Sequence, residues 1–168
     1  LAEAITISGQ WVIQWAEKRI NTYLSELIGI DQNYIVMIDT DALYVNLEPL
    51  LVKLGLIDKK TEDLVNFIDK ICKSKIQPFL DELYSELFDY SNSMEKYIWL
   101  KRENIADSAV VVAKKRYAMN VWDSEGVRFA KPEVKITGMA SVQSSTPEFC
   151  RSRIEAAVEM ILNKSEKE

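Results

Sequence analysis

The chain contains no histidine. That absence removes the imidazole general bases and most zinc sites, so a metal held here must be held by carboxylate oxygens, the donors that suit magnesium or manganese. Cysteine is scarce as well. Cys72 and Cys150 stand far apart and belong to no ligand or redox motif, so both read as reduced, intracellular thiols used in packing. No apolar run approaches the ~18 residues that would cross a bilayer. Residues 1–10 lack the basic flank, apolar stretch and cleavage site of a signal peptide. There is no internal repeat and no low-complexity linker. A leucine at position 1, running straight into helix-like sequence, suggests a truncation point.

What is present fits an ordinary folded domain. The 168 residues, 48% apolar and 28% charged, suffice for a sizeable core. A net charge of −5 counts weakly against nucleic-acid binding, but the distribution of charge matters more than its sum.

Val12, Ala16, Ile20, Tyr23 and Leu27 recur at helical spacing, with Gly29 as the stop. Tyr34 to Met37 reads as a buried strand; after an acidic centre, apolar character resumes at Leu43, Tyr44 and Val45, which predicts a β-hairpin with polar residues at its tip. Leu64, Phe67, Ile68, Ile71, Cys72, Phe79, Leu80, Leu83 and Leu87 trace one face of a long helix, kinked or broken at Pro78. Aromatic and β-branched residues then predict strands at Tyr97–Leu100, Val110–Val112, Tyr117–Trp122 and Val127–Phe129. Asp123 to Gly126 is a turn signal between the last two. Thr146 and Pro147 read as the cap and first residue of a final helix whose apolar face is Ile154, Ala157, Val158, Ile161 and Leu162, with a charged tail from Lys164 to Glu168 that frays. The order implies an α+β fold, an antiparallel sheet with helices packed on one side. The four tryptophans read as core residues rather than stacking platforms.

Two places carry chemistry. Asp39 and Asp41, at i and i+2 of a strand, would share a face about 6–7 Å apart. Like charges that close repel unless a cation lies between them. An isolated Asp-x-Asp is also a common turn. The run Lys114-Lys115-Arg116-Tyr117 interrupts an apolar stretch, and suits either a guarded sheet edge or a grip on phosphates.

Residues 34–45, Tyr-Ile-Val-Met-Ile-Asp-Thr-Asp-Ala-Leu-Tyr-Val, resemble the third sequence motif of family B DNA polymerases, where Asp-Thr-Asp lies at a hairpin tip. Residues 114–123 resemble the Lys-Lys-x-Tyr segment of the same enzymes. Lys101 to Ala106, Lys135 to Met139, Ser144 to Pro147 and the opening Ile5 to Gln10 follow in family order, so the resemblance covers about residues 5 to 163 and is closest to T-even-like tailed phages. Between Glu48 and Glu95 it holds only in character. Ile38 and Ala42 depart from the family's usual glycine and serine, and Ala140-Ser141 from its Glu-Thr.

The resemblance implies a partial polymerase palm over residues 1–143 and the start of a thumb helix over 144–168. It implies template-directed nucleotidyl transfer from a dNTP to a primer 3′-hydroxyl by a two-metal mechanism, with two Mg2+ or Mn2+ ions in the complete enzyme. Asp41 would be the main metal ligand, Asp39 a coupled second acid, and Thr40 the residue that fixes the tip and the nucleotide through its backbone. Lys114, Lys115, Tyr117 and Lys135 would bind DNA. Implied partners are primer-template DNA, dNTP and the remainder of a polymerase (earlier palm motifs, fingers, exonuclease and thumb); a sliding clamp is a further candidate and a membrane is not. The implied location is the cytoplasm of an infected bacterial host. The family's earlier aspartate and its lysine- and tyrosine-bearing helix are not found in this sequence, so the chain alone is expected to be inactive. Two other readings stay open here: a degenerate, non-catalytic DNA-binding remnant, and an unrelated Asp-x-Asp metal-dependent transferase.

Overall fold

The computed structural model describes residues 2–92, 94–96 and 98–163. Tyr97 and the tail from Lys164 to Glu168 lie outside them. The chain divides into two compact units, Leu1–Lys59 and Lys60–Glu168.

In the first unit, helix α1 (Ala2–Ile28) precedes strands β1 (Ile35–Asp39) and β2 (Ala42–Val45) and helix α2 (Glu48–Lys53). The buried stripe of α1 is Ile13, Ala16, Ile20, Leu24 and Ile28. It lies one position away from the stripe read in the sequence at Val12, Tyr23 and Leu27, because several i, i+4 ladders run through so apolar a helix and only packing selects one. Gly29 ends α1 as expected: at φ 71° its N–H donates to the Ser25 carbonyl at 2.7 Å. The Lys53 ammonium, at the end of α2, donates to the Ile28 carbonyl, a cation on the carbonyl end of a helix. Tyr34 fixes the approach to the hairpin. It is fully buried, its N–H donates to Asn21 Oδ1 at 2.7 Å, and its hydroxyl donates to the Ile30 carbonyl at 2.7 Å. Beyond it the strand is half exposed rather than buried, with Val36 on the surface.

The second unit opens with one long helical run: α3 (Thr61–Ile71), a π-helical turn at Cys72–Ile76, and α4 (Gln77–Ser91). The break anticipated at Pro78 is this π turn. Proline lacks the N–H that would bond four residues back and its ring crowds that carbonyl, and a widened turn accommodates both without ending the helix. Asn92 closes α4 in the left-handed conformation, φ 50° and ψ 38°.

Strands β3 (Asn104–Ala113), β4 (Arg116–Ser124) and β5 (Val127–Thr137) form an antiparallel sheet in that order. β3 and β5 are far longer than the short runs expected, and residues 98–100 are not strand. Pro132 sits in β5, an edge strand, where its missing donor costs no ladder bond. Helix α5 (Glu148–Asn163) covers one face, joining Val158, Leu162 and Ile154 to Ala118, Met139, Val110, Val134 and Ile136. Its apolar stripe is Ile154–Val158–Leu162; Ala157 and Ile161 are exposed. The Pro147 carbonyl accepts the first helical bonds, from Cys150 at 2.9 Å and Arg151 at 3.0 Å, one residue later than the expected cap. β4 is buried on both faces, since Tyr117, Met119 and Val121 alternate with Ala118 and Asn120.

The class is therefore α+β, with a three-stranded antiparallel sheet and helices. Two packing expectations need correction. Trp11 and Trp99 are 49% and 59% exposed, so they are not core. Trp122 is structural, donating from Nε1 to Asp107 Oδ2 at 2.8 Å. Cys150 is exposed, and only Cys72 packs inward.

Candidate metal and DNA-binding sites

The acidic tip is a two-residue turn. Asp39 pairs with Ala42, leaving Thr40 and Asp41 to reverse the chain. The Asp41 N–H donates to the Asp39 carbonyl at 2.8 Å, and Thr40 between them is at φ 58°. A positive φ at the first loop position matches the twist of an antiparallel hairpin, and glycine is the usual occupant. A β-branched residue there is strained by roughly 1–3 kcal/mol. The Thr40 hydroxyl donates to Asp39 Oδ1 at 3.3 Å. The i, i+2 strand geometry expected for the two acids is thus replaced: Asp39 ends β1, and Asp41 belongs to the turn.

Asp41 and Thr40 are exposed and Asp39 is half-buried. Two hard oxygen donors on a hairpin tip suit a magnesium ion, which keeps several waters and takes one or two carboxylates together with substrate phosphates. The donor set fits part of such a site. Among the described residues no cluster of three or more acidic, cysteine or histidine side chains forms.

The basic run lies in the second unit, at a hairpin turn rather than along a strand. Ala113 pairs with Arg116, so Lys114 and Lys115 form the loop, with Lys115 at φ 61°. Both lysines and Arg116 are exposed. Tyr117 is the next residue and is buried, paired with Val111 on one side and Thr137 on the other. Lys135 pairs with Met119 one step along the same face of β4 and β5, opposite the face that carries Ala118 and Ile136. The sheet therefore brings the two turn lysines, Tyr117 and Lys135 to one end of itself, while the tyrosine ring faces inward. The bland alternative of a guarded sheet edge does not describe the lysines, which sit at a tip.

A network that sequence reading did not find holds this sheet to the long helix. Asp123 is about 1% exposed. Arg102 donates from Nη1 to Asp123 Oδ1 and from Nη2 to Asp69 Oδ1, the latter at 2.8 Å. Arg128 reaches Asp123 Oδ2 at 3.3 Å, and the Gly126 N–H donates to Oδ1 at 3.0 Å. The bond from Lys73 Nζ to Asp69 Oδ2, 2.7 Å long, lowers the Asp69 pKa below the usual aspartate value; burial opposes this, and Arg102 adds to it. The Asp123 to Gly126 turn signal was legible. Its partners were not, because residues 69, 102 and 123 meet only through tertiary structure.

No family model matches the chain. Two curated proteins do, across nearly all of it. The chain is 41% identical over 175 aligned residues to the DNA-directed DNA polymerase of Enterobacteria phage T4, and 33% identical over 175 to that of Escherichia phage RB69, each match covering 98% of this chain. These matches support a fragment of a family B DNA polymerase of the T-even phage type. It spans about a fifth of the length of these relatives, 20% and 19% respectively. The reading as an unrelated Asp-x-Asp transferase falls with this result. Among the described residues no helix is long and apolar enough to cross a membrane.

Proposed function

We propose that this chain is the later palm and the beginning of the thumb of a DNA-directed DNA polymerase acting in the cytoplasm of an infected bacterium. The observation that carries the reading is the 41% identity to a phage DNA polymerase across 98% of the chain, with Asp39-Thr40-Asp41 at a hairpin tip. Residues 1–143 make up the palm portion and residues 144–168, including α5, lead into the thumb. Substrates are dNTP and primer-template DNA, and the rest of the polymerase supplies the earlier palm motif, fingers and exonuclease.

In this reading Asp41, exposed at the tip, is the main ligand for Mg2+ or Mn2+, and Asp39 is the second acid, oriented by the Thr40 hydroxyl. When bound, a pair of such ions supplies Lewis-acid stabilisation of the attacking and leaving oxygens in an in-line phosphoryl transfer. The tight Thr40 turn fixes the spacing of the two carboxylates before substrate arrives, and leaves its backbone beside the nucleotide. Lys114 and Lys115 neutralise primer-template phosphates without reading sequence. Lys135 extends that basic end of the sheet, and Tyr117, next to the turn, completes the DNA-binding group.

Manganese binding tests the acidic tip. Titration of the chain followed by electron paramagnetic resonance is expected to give a bound fraction that Asp41→Ala removes and Asp39→Asn weakens. Equal binding by the chain and by Asp41→Ala would sink the assignment. Manganese binding at this tip also separates a polymerase piece from a degenerate remnant that only holds DNA.

A further inference from the structure

The turn that carries Lys114 and Lys115 is seated on a glycine. Gly138 follows the last residue of β5, and because Thr137 pairs with Tyr117, it lies beside the turn end of the β3–β4 hairpin. A Cβ at position 138 would stand 1.9 Å from the Lys115 carbonyl oxygen, 3.1 Å from its carbonyl carbon and 3.6 Å from Arg116 Cγ. The two closest atoms are backbone, so no rotamer change relieves the clash. Both partners are left-handed, Gly138 at φ 63° and Lys115 at φ 61°. Glycine adopts that conformation freely; lysine does not, so Lys115 must be held in it by its surroundings. The approach is particular to this position. A Cβ at Gly9, Gly55 or Gly126 would meet nothing within 4 Å, and one at Gly29 would meet only the side-chain end of Lys53.

We infer that Gly138 is a positioning residue for DNA: its bare Cα admits the Lys115 carbonyl and thereby sets the turn that presents Lys114 and Lys115 to phosphates. The inference rests on reading this turn as a phosphate grip. A side chain at 138 pushes the Lys115 carbonyl away and moves both ammonium groups with it, although neither lysine is altered. Gly138 itself touches no phosphate, so its effect on binding must run through the turn.

The test is a double-mutant cycle on primer-template affinity, read by fluorescence anisotropy as a function of salt. Gly138→Ala is expected to weaken binding about tenfold at low salt and to reduce the slope of log K against log salt by about 1 to 2, the signature of lost phosphate contacts. The pair Lys114→Ala and Lys115→Ala is expected to do the same, and adding Gly138→Ala to that pair to cost nothing more. Gly138→Asn carries the same Cβ but tolerates positive φ, so it gives the answer even where the alanine variant melts below the assay temperature. Losses that add in full, or unchanged binding by both position-138 variants while the lysine pair loses affinity, would overturn the role of Gly138. Unchanged binding by the lysine pair would overturn the grip reading, and this inference with it.

Discussion

At the residue scale the informative feature is Thr40, a β-branched residue at φ 58° in the position where hairpins favour glycine. Relief of that strain outweighs the extra backbone entropy that glycine loses on folding. Thr40→Gly is therefore expected to raise stability by up to about 1 kcal/mol in urea unfolding, while loosening the Asp39–Asp41 spacing and weakening manganese binding. The thiols give a second outcome. Burial pushes Cys72 up to about 11, whereas Cys150 is exposed. Iodoacetamide near neutral pH should modify Cys150 fast and Cys72 slowly, and equal rates would contradict the packing described. Burial also raises Tyr84 to about 12. Above the ordinary values of 9.0 and 10.0 the unfolded chain releases protons that folded Cys72 and Tyr84 retain. Stability should thus decline from about pH 9 upward. The hairpin and its acidic tip were legible in the sequence, but not the tight turn that takes Asp41 out of the strand, since a strand and a tight turn spell Asp-Thr-Asp alike.

At the scale of elements, the sheet is tied to the long helix by Arg102, which serves the carboxylates of Asp69 and Asp123 at once. Removing one member of a buried charge network leaves the others desolvated and unpaired. Arg102→Ala is expected to cost about 3 kcal/mol in urea unfolding, and Arg102→Lys to recover little, because an ammonium does not span two carboxylates as a guanidinium fork does. Asp69, with its depressed pKa, stabilises fully above the ordinary aspartate value of ~3.9 and progressively less as pH falls below it. Asp69→Asn should flatten that acid limb. Elements with strong periodicity were legible, namely α1 with its Gly29 stop, the hairpin and the long helix. The extent of β5 was not. Its charged residues Lys131, Glu133 and Lys135 alternate with half-buried Pro132, Val134 and Ile136, a period-two pattern that the proline and the charges disguise. The stripes of α1 and α5 were misplaced in part because tertiary packing, not propensity, chooses which apolar face is buried.

At the scale of the whole molecule, the chain is two compact units that match about a fifth of the phage T4 DNA-directed DNA polymerase. The acidic tip lies in the first unit and the basic turn in the second. The order of motifs along the sequence carried that match, whereas a net charge of −5 pointed, weakly, the other way. The chain by itself is expected to extend no primer. The most direct measurement replaces the matching fifth of the phage T4 polymerase with this chain and follows primer extension with and without Asp41→Ala. The expected result is template-directed extension by the chimera that Asp41→Ala lowers by about 10³-fold or more, as loss of a metal ligand demands. Undiminished extension by the Asp41→Ala chimera would contradict the assignment of the hairpin tip as the metal site.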